Sequence, residues 1–122
     1  MRKHNFKNMK IWQAGMDILD MVYLYLNDLP SSEKFNLISQ MSRCSVSIPS
    51  NIAEGSGRNG VKDQMKFFGY SLSSAYELET QLLICERRNY GNLSLLKKIL
   101  IEVEIEQKML FGFIQKLKQY DK

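Results

Sequence analysis

The residues best suited to chemistry lie in one polar stripe between positions 43 and 58. Arg43, Ser47, Asn51, Glu54 and Arg58 follow one another at steps of four, four, three and four, which is the spacing of one helix face. Glu54 and Arg58 stand in the favourable helical order for an ion pair. A guanidinium, a hydroxyl, an amide and a carboxylate aligned in this way can hold a polar ligand. They can also form a hydrogen-bonded layer that fixes helix register or a contact between subunits. We favour this structural interpretation over a ligand site, because polar networks between helices commonly serve specificity.

The other reactive side chains give little support for catalysis or metal binding. Nucleophilic catalysis requires a base beside the nucleophile, and the only histidine, His4, lies near the N-terminus. Cys44 and Cys85 are far apart, and we expect two reduced thiols in helix packing. The acids at positions 77, 79, 102, 104 and 106 spread around their helices, so we expect them to form a solvated surface with nearby lysines. The sequence predicts no enzyme activity, no metal and no cofactor.

Basic residues suggest a contact with polyanions. The formal net charge is +4 and the pI is near 9.1, which permits nucleic-acid binding without requiring it. Basic side chains concentrate in three segments that share one end of an up-down helical bundle, and such an end can contact phosphates. The residues are Arg2, Lys3, Lys7, Lys10, Arg58, Lys62, Lys66, Lys116 and Lys118. The alternative is an ordinary solvated bundle end.

Length and composition indicate one soluble domain spanning residues 1–122. Hydrophobic residues make up 44% of the chain and charged residues 25%, as in ordinary globular proteins. Asp17 and Asp20 interrupt the apolar run near the N-terminus, so neither a signal peptide nor a membrane span is expected. The absence of any need for a disulfide favours the cytoplasm.

Apolar periodicity predicts an all-α, antiparallel, up-down four-helix bundle. The helices are expected at approximately residues 8–29, 32–57, 61–90 and 93–120. Pro30 ends the first helix, and Gly55, Gly57 and Gly60 suit a left-handed helix end followed by a loose connection.

Three helices carry more apolar rows than one small bundle requires. In the first helix, a row through Trp12, Met16 and Tyr23 lies beside a second row through Ile11 and Ile18. Tyr76, Leu83 and Tyr90 add a row to the third helix, and Ile101, Ile105 and Met109 add one to the fourth. A thick core would explain the extra rows, but their number favours self-association.

The second helix is predicted to continue through Pro49. Ile48 and Ile52 keep the three-four rhythm that Met41 and Ser45 begin, and a loop at Pro49 would have no reason to keep that phase. Proline removes the backbone hydrogen bond to Ser45, so we expect a kink. Such a proline costs about 3 kcal/mol in a helix interior, which close packing around the small residues must offset.

Two segments, QMSRCSVSIPSNIAEGSGR (40–58) and FFGYSLSSAYELETQLLICERRNY (67–90), closely resemble the bacterial four-helix-bundle family of 23S rRNA-intervening sequence proteins. Trp12 and Gln13 also resemble the first helix of that family, and Cys44 and Ser45 replace its usual small alanines. The matched positions are Gln40, Arg43, Ser47, Ile48, Asn51, Ile52, Ala53, Glu54, Gly55, Ser71, Leu72, Glu77, Leu78, Glu79, Gln81 and Leu82.

The resemblance implies a helical protomer that assembles into a homopentamer and has no established catalytic residues. It also implies similarity to accessory proteins of diversity-generating retroelements, which are pentameric bundles that contact a reverse transcriptase and nucleic acid. From the motif we assign structural or interface roles to a set of residues on the second and third helices. They are Arg43, Ser47, Pro49, Asn51, Glu54, Gly55, Glu77 and Glu79.

We therefore expect a non-enzymatic, cytoplasmic, oligomeric scaffold that binds RNA or DNA weakly through its basic end. The alternative is a protein-interaction module that docks a reverse transcriptase or another protein without contacting nucleic acid. An enzyme with an unfamiliar site on the Arg43–Glu54 stripe is the third class.

Overall fold

Four long amphipathic stretches fold into helices in the computed structural model, which describes residues 5–121. Among these residues there is no strand, so the all-α prediction is confirmed. The helices are α1 Lys10–Leu26, α2 Ser39–Ser56, α3 Val61–Arg87 and α4 Leu93–Lys118. None of the described helices is long and apolar enough to cross a membrane.

Each helix packs against two others, as in a four-helix bundle. The α1 helix contacts α2 and α4, and α3 likewise contacts α2 and α4. Fully buried side chains from all four helices, such as Ile18, Met41, Leu78 and Val103, form one core. Burial of this apolar core supplies the main driving force for the fold.

Contacts between the helix ends show which ends lie together. The Tyr25 hydroxyl, at the end of α1, donates to the Tyr90 carbonyl oxygen at 2.7 Å. The Tyr90 hydroxyl lies 3.3 Å from Glu33 Oε2, which precedes α2. At the opposite end the Phe68 and Phe113 rings pack with centroids 4.9 Å apart, joining the start of α3 to the last turns of α4. An up-down order of helices requires these pairings.

The predicted boundaries of α3 and α4 differ from the observed ones by at most three residues, but α2 begins later than predicted. Residues 32–38 are predicted to belong to it, yet they lie in the 3₁₀ turn Ser31–Glu33 and the π-helical turn Lys34–Ile38. No serine side chain caps this segment. The α4 helix is capped, because the Asn92 side chain accepts a hydrogen bond from the Leu95 amide at 3.0 Å.

The row of α1 that begins at Ile11 faces the core, whereas the row that begins at Trp12 lies at its margin. Ile11 and Ile18 are buried, Trp12 is half-buried and Tyr23 is exposed. Gly15 lies in the buried row, where an added β-carbon would stand 3.2 Å from Ile48 Cγ2. The missing side chain therefore permits the close approach of α1 to α2.

The α2 helix is continuous through Pro49, as predicted. Pro49 is buried, and Ile48 and Ile52 on either side of it are fully buried. The Ser71 hydroxyl of α3 donates to the Ile48 carbonyl oxygen at 2.8 Å, which ties α3 to the backbone beside the proline. The kink itself stays a prediction.

The expected left-handed helix end at the α2–α3 connection is wrong. Gly55 lies within α2, Gly57 has φ −88°, and Gly60 is extended with φ −105°. The connection is closed by right-handed turns instead, because the Arg58 amide donates to the Gly55 carbonyl at 3.2 Å. The buried Gln64 side chain then donates to the Arg58 carbonyl at 3.0 Å.

Candidate functional site

The polar stripe of α2 forms a hydrogen-bonded layer with α3. Asn51 Nδ2 donates to the Ser47 carbonyl oxygen at 2.9 Å and to Ser47 Oγ at 2.8 Å. Ser47 Oγ lies 2.8 Å from Ser74 Oγ on α3. Three half-buried side chains thus satisfy one another's hydrogen bonds across the two helices.

A shallow polar cavity lies beside this layer. It has a volume of about 280 Å³, and its lining comes from both α2 and α3. The structure thereby brings together three residues assigned from the motif, Arg43 and Ser47 of α2 and Glu77 of α3. The full lining is Gln40, Arg43, Cys44, Ser47, Ser74 and Glu77.

Neither cysteine is prepared for nucleophilic chemistry. Cys44 Sγ donates to the Ser74 carbonyl oxygen at 3.2 Å, and burial, with the Glu77 carboxylate nearby, raises the pKa of this thiol to about 12. Cys85 contacts Met41 Sδ at 3.8 Å, and burial raises its pKa too. Only thiolates are good nucleophiles, so both residues act in packing, as predicted.

Arg58 connects the end of α2 to the start of α3. Its guanidinium pairs with Glu54 at 3.5 Å, the predicted i,i+4 partner, and with Asp63 at 2.9 Å. The same group lies 4.6 Å from the centroid of the Phe67 ring. Arg58 is therefore held in place by two carboxylates and an aromatic face, and part of its charge is already compensated.

Three other residues of the motif serve helix packing. Pro49 is buried near Gly15 of α1. A β-carbon on Gly55 would stand 3.1 Å from Phe67 Cβ and 3.2 Å from the Gln64 carbonyl oxygen, so glycine lets α2 and α3 meet. Glu79 Oε1 accepts a hydrogen bond from Gln107 Nε2 at 2.8 Å, which links α3 to α4.

The described lysines of the predicted basic end are exposed to solvent, whereas Arg58 is half-buried and paired with Glu54 and Asp63. Among residues 5–121, no carboxylate forms an ion pair with a lysine of this basic end. Arg2 and Lys3 lie outside the described residues. The exposed lysines come from the segment before α1, the first turn of α1, the first turns of α3 and the last turn of α4. They are Lys7, Lys10, Lys62, Lys66, Lys116 and Lys118.

Two aromatic residues of this region were not predicted. Phe67 lies between Arg58 and Lys66, with Lys66 Nζ 5.8 Å from its ring centroid. Tyr70 packs edge-on against Phe67 at 5.5 Å between centroids and is 47% exposed. The alternation of basic and aromatic residues after Lys62 is the sequence signal that could have identified them.

The prediction that Glu106 belongs to a solvated surface is wrong. Its side chain is fully buried, and neither carboxylate oxygen has a hydrogen-bond partner among the described residues. Burial raises the pKa of Glu106 to about 8, because the charged form is poorly solvated in the core. Position 106 continues the core rhythm of Ile99, Val103 and Leu110 at steps of four, three and four. That phase was the available signal.

Metal binding has no support in the part of the chain that the structure describes. Residues 5–121 contain no group of three His, Cys, Asp or Glu side chains that could hold a metal ion. Glu106 stands apart from other carboxylates in the core, and no neighbouring charge contributes to its raised pKa.

Comparisons with known proteins agree with this architecture. A solved structure from Bacteroides thetaiotaomicron, described as a protein of unknown function from the S23 ribosomal protein family, is similar with a TM-score of 0.77. It is 22% identical, and the match covers 85% of this chain and 97% of that one, so it supports the fold alone. No curated protein is a significant match to this chain.

The family comparison is more specific. The family model described as 23S rRNA-intervening sequence protein matches residues 7–112. This range includes α1, α2, α3 and all but the end of α4. It also includes the layer of Ser47, Asn51 and Ser74. The chain therefore belongs to the 23S rRNA-intervening sequence protein family.

Proposed function

We propose that this protein is a non-enzymatic scaffold that assembles with copies of itself and binds RNA or DNA weakly through its basic end. The assembly expected from the family resemblance is a homopentamer in the cytoplasm. The polar layer of α2 and α3 maintains the shape of the subunit, and the exposed bundle end contacts the nucleic acid.

The observation that carries this proposal is the group of exposed lysines at one end of the bundle. Lys10 of α1, Lys62 of α3 and Lys118 of α4 are examples, one from each helix that supplies them. Lysines grouped at one end of the bundle create a positive potential that attracts phosphates. A lysine that has no carboxylate partner can exchange its counterions for a phosphate without first breaking an ion pair.

The aromatic pair beside these lysines supports contact with unpaired bases. Tyr70 is nearly half exposed to solvent, and an edge-on contact with the Phe67 ring holds it in position. Aromatic rings at the margin of a basic surface stack on exposed bases of single strands or loops. We therefore infer a preference for RNA or DNA with unpaired nucleotides over a regular duplex.

Fluorescence titration of the full chain with a labelled RNA hairpin tests the proposal. We expect binding at about 50 mM salt that weakens steeply by about 200 mM, because binding releases counterions. Equally tight binding to a duplex without a loop would contradict the inferred role of Tyr70. No binding at the lower salt concentration would overturn the nucleic-acid function and favour the module that docks a reverse transcriptase or another protein.

A further inference from the structure

The outer face of α1 is acidic and apolar. Between Lys10 and Lys34 the chain has no basic residue, while Asp17, Asp20 and Asp28 are all exposed. Leu24 is 61% exposed among these acids. Beside Leu24, a groove of about 530 Å³ between α1 and the start of α2 is lined chiefly by apolar side chains, including Tyr23 and Ile38.

The outer face of α4 has the complementary character. Ile101 and Ile105, one turn apart, are 60% and 45% exposed. Lys97 and Lys98 precede this pair, and Lys108 follows it, all of them exposed. Glu104 is the exposed acid within this stretch, and Lys108 lies 3.5 Å from it, so the face keeps a positive balance.

The charges are spaced alike on the two faces. Acids lie seven residues before Leu24 and four residues after it, at Asp17 and Asp28. Lysines lie four residues before Ile101 and seven residues after it, at Lys97 and Lys108. An antiparallel arrangement of α1 and α4 from different subunits would therefore place opposite charges on both sides of the Leu24–Ile101 contact.

We propose that a second copy of this chain inserts its Ile101–Ile105 ridge into the α1–α2 groove. This inference rests on the proposed self-assembly and adds the surfaces that carry it. Charge repulsion disfavours pairing of two α1 faces, where acids would oppose acids, and of two α4 faces, where lysines would oppose lysines. The contact is therefore head-to-tail, and a head-to-tail contact forms a ring when its rotation closes.

The substitution Ile105→Glu on the full chain tests the apolar part of this interface. Light scattering should show the wild type as an oligomer and the variant as a monomer, with unchanged helicity by circular dichroism. Leu83→Glu is the matched control, because Leu83 is 44% exposed but lies on α3. An Ile105→Glu variant that keeps the wild-type mass would overturn the proposal. Loss of assembly in the Leu83→Glu variant alone would assign the interface to α3.

Charge reversal provides the second test. Lys97→Asp with Lys108→Asp should break the assembly, and Asp17→Lys with Asp28→Lys should break it too. The chain carrying all four changes should assemble again, since each interface regains opposite charges. Failure of this restoration would overturn the proposed pairing. A wild type that is monomeric at high concentration would overturn both this interface and the assembly part of the proposed function. If the wild type assembles and the α4 variants keep its mass, only the proposed interface is overturned.

Discussion

The Glu106 carboxylate faces Gly15 on the side where any other residue would carry its β-carbon. A β-carbon added to that glycine would stand 3.2 Å from Glu106 Oε2 and 3.5 Å from the backbone nitrogen of Pro49. The three residues come from α4, α1 and α2, so a buried, unpartnered acid occupies the place where three helices approach one another. Such a group is costly unless it is protonated.

Stability should therefore depend on the protonation of Glu106. Its pKa is about 8 in the folded protein and 4.5 ordinarily, so between these values the folded state holds a proton that the unfolded state releases. The contribution is complete below pH 4.5 and is lost as the pH rises through 8. We expect the unfolding free energy to fall by up to about 1.4 kcal/mol per pH unit. Urea denaturation at fixed protein concentration measures this slope.

The matched control for this slope is Glu106→Gln. Glutamine has nearly the same shape but does not ionise, so the variant should lose the pH dependence that Glu106 contributes while keeping other titrations. Equal slopes for the wild type and the variant over this pH range would show that the Glu106 carboxyl is not held protonated in the core.

Gly55→Ala and Gly69→Ala should have different effects on stability. Both residues lie within helices, so both substitutions gain helix propensity, which amounts to about 1 kcal/mol in a helix interior such as that around Gly69. A β-carbon at Gly55 meets Phe67 and the Gln64 backbone near 3.1–3.2 Å, whereas one at Gly69 meets nothing within 4 Å. We expect the Gly55 variant to be about 1–3 kcal/mol less stable than the Gly69 variant because of overpacking. Thermal unfolding compares the two, and equal stabilities would contradict the close contact.

Ser47 and Asn51 should be energetically coupled. Their side chains share a hydrogen bond of 2.8 Å in a half-buried layer with Ser74. Each alanine substitution should cost about 1 kcal/mol, and the double variant should cost less than the sum by about 0.5 kcal/mol or more. A double-mutant cycle by denaturation gives this coupling. Additive effects would mean that the layer does not act as one network.

Pro49→Ala should straighten α2 and reduce assembly. Alanine restores the backbone amide that can bond to Ser45, which removes the cause of the expected kink. The ends of α2 would then shift relative to α3 and α1. A crystal structure of the variant and its mass by light scattering measure the two effects. An assembly of unchanged mass would show that quaternary structure does not depend on Pro49.

Residue spacing was sufficient to predict features within a single helix. Features that depend on contacts between helices could not be predicted in this way. The phase of Ile48 and Ile52 was sufficient to predict a continuous helix through Pro49, and the spacing of Glu54 and Arg58 predicted their ion pair. The partner of Ser47 could not be predicted, because Ser74 reaches it only through the α2–α3 register.

Side-chain chemistry also misled the assignment of the core. Both apolar rows of α1 consist of large apolar side chains, and Gly15 lies in the inward one, where α1 approaches α2 closely. The rhythm of α4 placed Glu106 in the core, but a carboxylate is rarely buried without a partner. The burial of this acid follows from the packing of α1 and α2 around it.

The salt dependence of RNA binding tests the central claim most directly. Lys62→Gln with Lys66→Gln removes two exposed charges from the basic end, whereas Arg87→Gln with Arg88→Gln removes two from the other end of α3. We expect the first pair to lower the slope of log K against log salt by about 1.4–1.8, and the second pair to leave it unchanged. Equal slopes for the wild type and the Lys62/Lys66 variant, or no binding of RNA at low salt, would contradict a nucleic-acid scaffold that acts through this end.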